Sequence, residues 1–233
     1  MSVKYFLDGA NYEQMVDCYK NNPKVKGFTT NPTLMRAAGI SNYEEFAKKV
    51  LATISDLPIS FEVFSDDLNE MEVQAEKIAT WGNNVNVKIP VTNTKGQSTA
   101  PIIQRLSNKG ISLNVTAIFT VEQVKHVVEA LAKDTPSIIS IFGGRIANAG
   151  VDPMPIMKES VAIAKVNPKC EVLWASPREA FNCIQADECG CHIITITQDI
   201  LKATSSFGKD LTQFSLETVQ MFYNDAQKAG FSL

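Results

Sequence analysis

A lysine closes an apolar, alternating run in this 233-residue chain: Val85-Asn86-Val87-Lys88-Ile89-Pro90. The pattern predicts a buried strand, with Pro90 expected to stop the pairing just past the lysine. An ammonium is costly to desolvate, so a lysine at the mouth of a buried strand needs a reason to be there. Burial in general favours the uncharged form of a lysine, and a free amine is what Schiff-base chemistry requires. A side chain snorkelling from a strand end is the ordinary alternative. Seven other strand-like runs weigh against it, because they too end in or lead into polar residues.

In chain order those ends read Asp8, then Thr30 and Asn31, Glu62, Lys88, and Asn114 with Thr116. Arg145 follows the sixth run, and Ser176 and Arg178 follow the seventh. Each has a plain explanation alone: Asp8 as a helix cap, Asn31 as a turn before Pro32, Thr116 as a β former. Fading hydrophobics at strand ends do not predict carboxylate, amide, amine and hydroxyl gathered at one end of the fold. A lysine-centred site does. An uncharged Lys88 attacks a ketone to give an iminium, an electron sink for breaking a nearby carbon–carbon bond. Asp8 is the candidate base for the hydroxyl at that bond, and Glu62 with Thr116 for proton shuttling through water. Asn31 and Asn114 are placed to hold substrate hydroxyls. Arg145, Ser176 and Arg178 make a cationic corner, and Ser-Pro-Arg is expected to open a helix whose free N–H groups suit a phosphate.

The elements that must position these groups alternate along the chain. Strands are expected near 3–7, 27–30, 59–64, 84–89, 111–117, 137–142, 171–175 and 192–197. Amphipathic stretches such as 69–81, 121–133 and 154–166 lie between them. Ser41-Asn42-Tyr43-Glu44 and Thr120-Val121-Glu122-Gln123 match the capping box, and Gly110 stands where a helix should stop. Strand ends fall about 27 residues apart on average, the length of one strand, one helix and two short loops. Eight such units predict an α/β chain folded as a (β/α)8 TIM barrel, a single domain over 1–233. A doubly wound sheet is the runner-up, but no Gly-x-Gly-x-x-Gly supports it. Beyond the eighth unit an extra helical extension is expected over 209–233. Its stripe of Leu211, Phe214, Val219, Phe222 and Ala226 must cover a barrel end or dock on another subunit.

Bulk properties narrow the partners. With 45% hydrophobic and 20% charged residues the composition is that of a globular protein. A net charge of −3 gives no general attraction to nucleic acid or anionic membrane, so any anion site must be local. No apolar run approaches the roughly 18 residues of a membrane span. Five unevenly spaced cysteines fit a reducing cytoplasm. Cys189-Gly190-Cys191-His192 matches no common zinc spacing, so no metal and no cofactor is expected.

Five motifs carry a resemblance. Gly27-Phe28-Thr29-Thr30-Asn31-Pro32-Thr33, Val87-Lys88-Ile89-Pro90, Leu113-Asn114-Val115-Thr116, Phe142-Gly143-Gly144-Arg145 and Ala175-Ser176-Pro177-Arg178 resemble the transaldolase family, in the right order from first strand to eighth. The length is similar to the short branch, which includes fructose-6-phosphate aldolases. The resemblance implies a metal-free class I aldolase-type barrel that transfers a dihydroxyacetone unit between sugar phosphates in the pentose phosphate pathway. It places the Schiff-base lysine on Lys88, the acid/base aspartate on Asp8, the water-activating carboxylate on Glu62 and the family threonine on Thr116. Phosphate ligands fall on Arg145, Ser176 and Arg178. The aldolase branch has glutamine where this chain has Glu62 and tyrosine where it has Phe142, so transaldolase is the leading expectation. An aldolase releasing free dihydroxyacetone is the rival, and a non-catalytic sugar-phosphate binder is a weaker one. The short branch also implies a homo-oligomer, pentamer or decamer. Trp174 and Pro177 depart from the pattern, and Pro177 removes one N–H from the expected helix start.

Overall fold

Each of the eight expected strands forms, and they close in chain order into one parallel barrel. The computed structural model describes residues 2–231. Residues 1, 232 and 233 of the one-domain expectation lie outside the described residues.

β1 (Lys4–Asp8) leads through α1 (Tyr12–Asn21) to β2 (Val25–Thr29). Two helices, α2 (Pro32–Ala37) and α3 (Tyr43–Thr53), precede β3 (Ile59–Glu62). Then come α4 (Leu68–Ala79), β4 (Val85–Pro90), α5 (Ala100–Asn108), β5 (Leu113–Ile118), α6 (Val121–Ala130) and β6 (Ser137–Ile141). α7 (Gly143–Asn148) and α8 (Pro153–Ala164) join β6 to β7 (Cys170–Trp174). α9 (Phe181–Glu188), β8 (Ile193–Ile196), α10 (Gln198–Ala203) and a 3-10 turn complete the barrel, and α11 (Leu211–Ala229) follows.

Alternation along the strands sorts the side chains into two layers. Tyr5, Leu7, Val87, Ile89, Val115, Ile139, Val172 and Ile194 belong to the large core between the sheet and its helices. The intervening residues face the barrel axis. There Phe6, Ile138, Leu173, Ala175 and Ile193 form a separate apolar cluster from β1 and β6 to β8. The matching positions on β2 to β5 are polar: Thr29, Ser60, Glu62, Asn86, Lys88, Asn114 and Thr116. The apolar cluster thus packs the interior on the side of β1 and β6 to β8. Asp8, Ser140 and Thr195 on those same strands join the polar residues in lining the cavity at the strand ends.

Two expectations about boundaries change. Pro90 does not stop the pairing: it is the last residue of β4, in register with Thr116, and the Val91 N–H donates to the Thr116 carbonyl at 2.9 Å. Like the Lys88 backbone, which accepts the Val63 N–H, Pro90 faces β3, and β3 has ended at Glu62. The missing donor thus costs no ladder bond. The capping box at Thr120 forms with both of its bonds, but α3 is capped by Asn42, not Ser41. Asparagine caps as well as serine, and starting at Tyr43 lets that ring pack on Phe61 and Trp81.

α11 carries no buried residue, so it does not cover a barrel end of its own chain. Leu211, Phe214, Val219 and Phe222 are all exposed along it. Among the described residues no helix is long and apolar enough to cross a membrane. No group of three or more His, Cys, Asp or Glu among them could hold a metal ion. His192 instead uses Nδ1 to accept the Val172 N–H at 2.9 Å.

Candidate active site

Lys88 is buried at the C-terminal mouth of the barrel, and two groups receive its ammonium. Its Nζ donates to the Thr30 carbonyl at 3.1 Å and lies 3.1 Å from Oε2 of Glu62. The Thr30 hydroxyl itself turns away to donate to the Ser60 carbonyl at 2.8 Å, so Thr30 meets the site through its backbone.

Asp8 stands beside this pair at the end of β1, with Oδ1 accepting the Thr29 hydroxyl at 2.7 Å. Burial holds its carboxyl above the usual aspartate range. The charge of Lys88 and the Thr29 bond pull the other way without offsetting it. A carboxyl that keeps its proton longer than usual is suited to both giving and taking one. Thr116 contributes a buried hydroxyl with no hydrogen-bond partner. Just after it, Ala117 has a left-handed backbone (φ 60°) and the β5–β6 register shifts between Val115 and Ile118. Such bulges re-aim side chains near active sites, and here the bulge follows the threonine that faces the cavity.

Asn114 lies one layer deeper. Its Nδ2 donates to the Ser60 hydroxyl at 3.0 Å and its Oδ1 accepts the Ser140 hydroxyl at 2.7 Å. Ser140, not Asn114, lines the cavity. Asn31 lines it too, while its Oδ1 caps α2 by accepting the Leu34 N–H at 2.9 Å.

The far wall comes from the loops after β6 and β7, which interlock. A Cβ on Gly144 would fall 1.7 Å from the Ser176 carbonyl oxygen, so only glycine admits that turn. A Cβ on Gly143 would fall 2.6 Å from the indole of Trp174, which is wholly buried. Trp174 thus serves as the floor under the Gly143-Gly144 turn. Ser176 itself has φ +58°. Ser176-Pro177-Arg178 does not open a helix: α9 starts at Phe181. The N–H groups of Arg178 and Glu179 instead donate to Oδ1 of Asn182 at 2.7 and 3.2 Å. The left-handed serine and the fixed φ of proline leave a turn there, held by the asparagine. The free N–H groups of a helix start, expected here, are therefore not on offer at this corner. Arg145 lines the cavity with its guanidinium 5.5 Å from the Phe142 ring centre. Arg178 stands outside the lining and donates from Nε to Asn148 at 3.2 Å.

The cavity so enclosed is narrow, about 100 Å³, and holds Asp8, Asn31, Lys88, Thr116, Phe142, Arg145 and Ser176 together. A larger one, about 590 Å³, lies at the opposite end of the barrel between Lys4, Lys24, Lys26 and Phe207. No carboxylate is among its lining residues, so convergence of acid, amine and hydroxyl groups, and not size, marks the site.

Residues 5–233 match the sequence profile of the family described as Transaldolase/Fructose-6-phosphate aldolase. The chain belongs to that family. A protein named "Probable transaldolase" from Dehalococcoides mccartyi is 36% identical over 200 residues, 85% of this chain and 88% of the relative. Another of that name, from Thermoanaerobacter sp., is 32% identical over 232 residues, 99% of this chain and all of the relative. Among solved structures, KGPDC from Streptococcus mutans superposes with a TM-score of 0.60 at 9% identity, covering 87% of this chain and 91% of its own. A mandelate oxidase mutant reaches 0.55 at 16% identity, covering 98% and 74%. At such identities these two show the barrel alone.

In this member of the transaldolase family the sequence reading overlooked Thr29, Ser140 and Thr195, all of which line the cavity. Stepping back two residues from Glu62, Lys88, Thr116 and Phe142 gives Ser60, Asn86, Asn114 and Ser140. The period of two would have found that deeper polar layer.

Proposed function

We propose that the protein is a transaldolase working through a Lys88 Schiff base. It moves a dihydroxyacetone unit from sedoheptulose 7-phosphate to glyceraldehyde 3-phosphate, giving erythrose 4-phosphate and fructose 6-phosphate, in the non-oxidative pentose phosphate pathway. The observation that carries this reading is the buried Lys88 amine 3.1 Å from a carboxylate, at the floor of a cavity with an arginine at its rim. Binding alone requires no such amine.

The amine attacks the ketose carbonyl to give a carbinolamine, which loses water to leave the iminium. Glu62 and the unpartnered Thr116 hydroxyl pass protons through water during that exchange. Asp8 takes the proton of the hydroxyl next to the breaking bond, and electrons from that bond flow into the iminium. The aldose phosphate departs, leaving an enamine on Lys88 that adds to the acceptor aldehyde, and hydrolysis frees the new ketose. Asn31 and Ser140, with Asn114 behind it, hold sugar hydroxyls. Arg145 and Ser176 hold the phosphate, with Arg178 at the outer rim.

Transfer over release is supported by Phe142, whose ring lies against Phe119 at 5.6 Å and offers no hydroxyl to a water. The exposed stripe of α11 supports assembly with further copies of the chain. Five free, buried cysteines suit work in the cytoplasm. The test is a coupled assay of fructose 6-phosphate with and without erythrose 4-phosphate. Transfer should far outrun release of dihydroxyacetone. Release without acceptor that matches transfer with one would make the protein an aldolase instead.

A further inference from the structure

Glu62 is held from behind the barrel wall by a single hydroxyl. β2 stops pairing with β3 early, because the chain turns into α2 at Asn31. The last bond of that ladder is the Thr30 N–H to the Ser60 carbonyl. The N–H and C=O of Glu62, two residues further on, face the same side and find no strand there. Buried backbone groups need partners. Tyr43, the first residue of α3, supplies both: its O–H donates to the Glu62 carbonyl at 2.9 Å and its oxygen accepts the Glu62 N–H at 2.7 Å.

The ring of Tyr43 is fixed in turn. It meets Phe61, Phe64 and Trp81 edge-on, with centres 6.2, 5.9 and 5.5 Å away. Burial pushes its hydroxyl well above the usual tyrosine range, so it stays a donor across the working pH. Of the two groups that receive the Lys88 ammonium, the Glu62 carboxylate belongs to the residue whose backbone this hydroxyl holds.

We infer that Tyr43 is a positioning residue for the Schiff-base step, clamping the Glu62 peptide so that its carboxylate stays against the Lys88 amine. This rests on the reading of Lys88 given above. The hydroxyl does the work of a missing strand at the end of β3, where Glu62 stands beside Lys88.

The test is the rate at which borohydride fixes fructose 6-phosphate on the protein, measured with saturating ketose. Tyr43→Phe keeps the ring and removes the hydroxyl, so the rate should fall about 10- to 100-fold. The ketose KM should stay within about threefold, because no substrate contact is lost. Trp81→Phe alters the same aromatic cluster without touching Glu62, and should keep the wild-type rate whatever it does to thermal stability. Tyr43→Trp, which cannot accept an N–H, replaces Tyr43→Phe in the comparison if that variant does not fold. An unchanged rate in Tyr43→Phe, or an equal loss in Trp81→Phe, overturns the positioning role. A wild type that borohydride does not label overturns the Lys88 reading itself, which separates the two failures.

Discussion

The Nζ of Lys88 lies 3.1 Å from Oε2 of Glu62, and the two residues are register partners on adjacent strands. Their side chains are only 9% and 17% exposed, so each is the other's main compensation for leaving water. Register, not chance proximity, puts the amine and the carboxylate together.

That pairing predicts non-additive stability. Glu62→Ala should cost about 1–3 kcal/mol, since it leaves the ammonium with the Thr30 carbonyl alone. Lys88→Met in the same protein should recover part of that loss. A double-mutant cycle by chemical denaturation checks it, and strictly additive losses would show the pair to be uncoupled.

Arg145 lines the cavity and Arg178 does not, which separates their expected roles. Arg145→Ala should remove about 1.5–3 kcal/mol of transition-state binding for phosphorylated acceptors, and little for unphosphorylated ones. Arg178→Ala should show the same preference with a smaller loss. The ratio of kcat/KM values for the two acceptor classes measures this, and equal losses for both classes would remove the phosphate from that corner.

Asp8 links the site to pH. Its folded pKa is raised, so the native state holds this proton more tightly than the unfolded chain does. The stability it contributes is complete below the ordinary value of 3.8 and is lost as pH rises through the higher folded value. Asp8→Asn escapes that loss. Its stability relative to wild type should therefore grow as pH rises above about 3.8, while activity collapses. Thermal unfolding at a series of pH values tests the sign, and an advantage that shrinks with rising pH would refute it.

Much of this was legible in the sequence, and the gaps have physical causes. Alternation exposed Lys88, Glu62 and Thr116 because an axis-facing polar residue breaks an otherwise apolar strand. Gly144, at the start of α7, and Ser176, in the loop after β7, belong to different βα units, so their interlocking is a long-range fact that local pattern cannot carry. Tyr43 was invisible for a different reason: its hydroxyl serves backbone groups, which leave no residue-type signature. Pro90 was misjudged because a proline's missing N–H matters only on the side where a neighbour still runs. The turn at Arg178 depends on Asn182, a side chain four residues away that outcompetes a helix start.

α11 should be the assembly element. Leu211, Val219 and Phe222 are 80%, 61% and 64% exposed, too much apolar surface on one helix for a monomer. Ending the chain at Gly208 should convert an oligomer into smaller species in sedimentation velocity. A full-length protein that sediments as a monomer would show that the helix has another use.

The covalent intermediate is expected on one lysine among many. The most direct measurement is borohydride reduction in the presence of fructose 6-phosphate, followed by peptide mapping by mass spectrometry. The label should sit on Lys88 alone, and Lys88→Ala should take up none and turn over no substrate. A label on any other lysine, or undiminished turnover in Lys88→Ala, would rule out the Lys88 Schiff base.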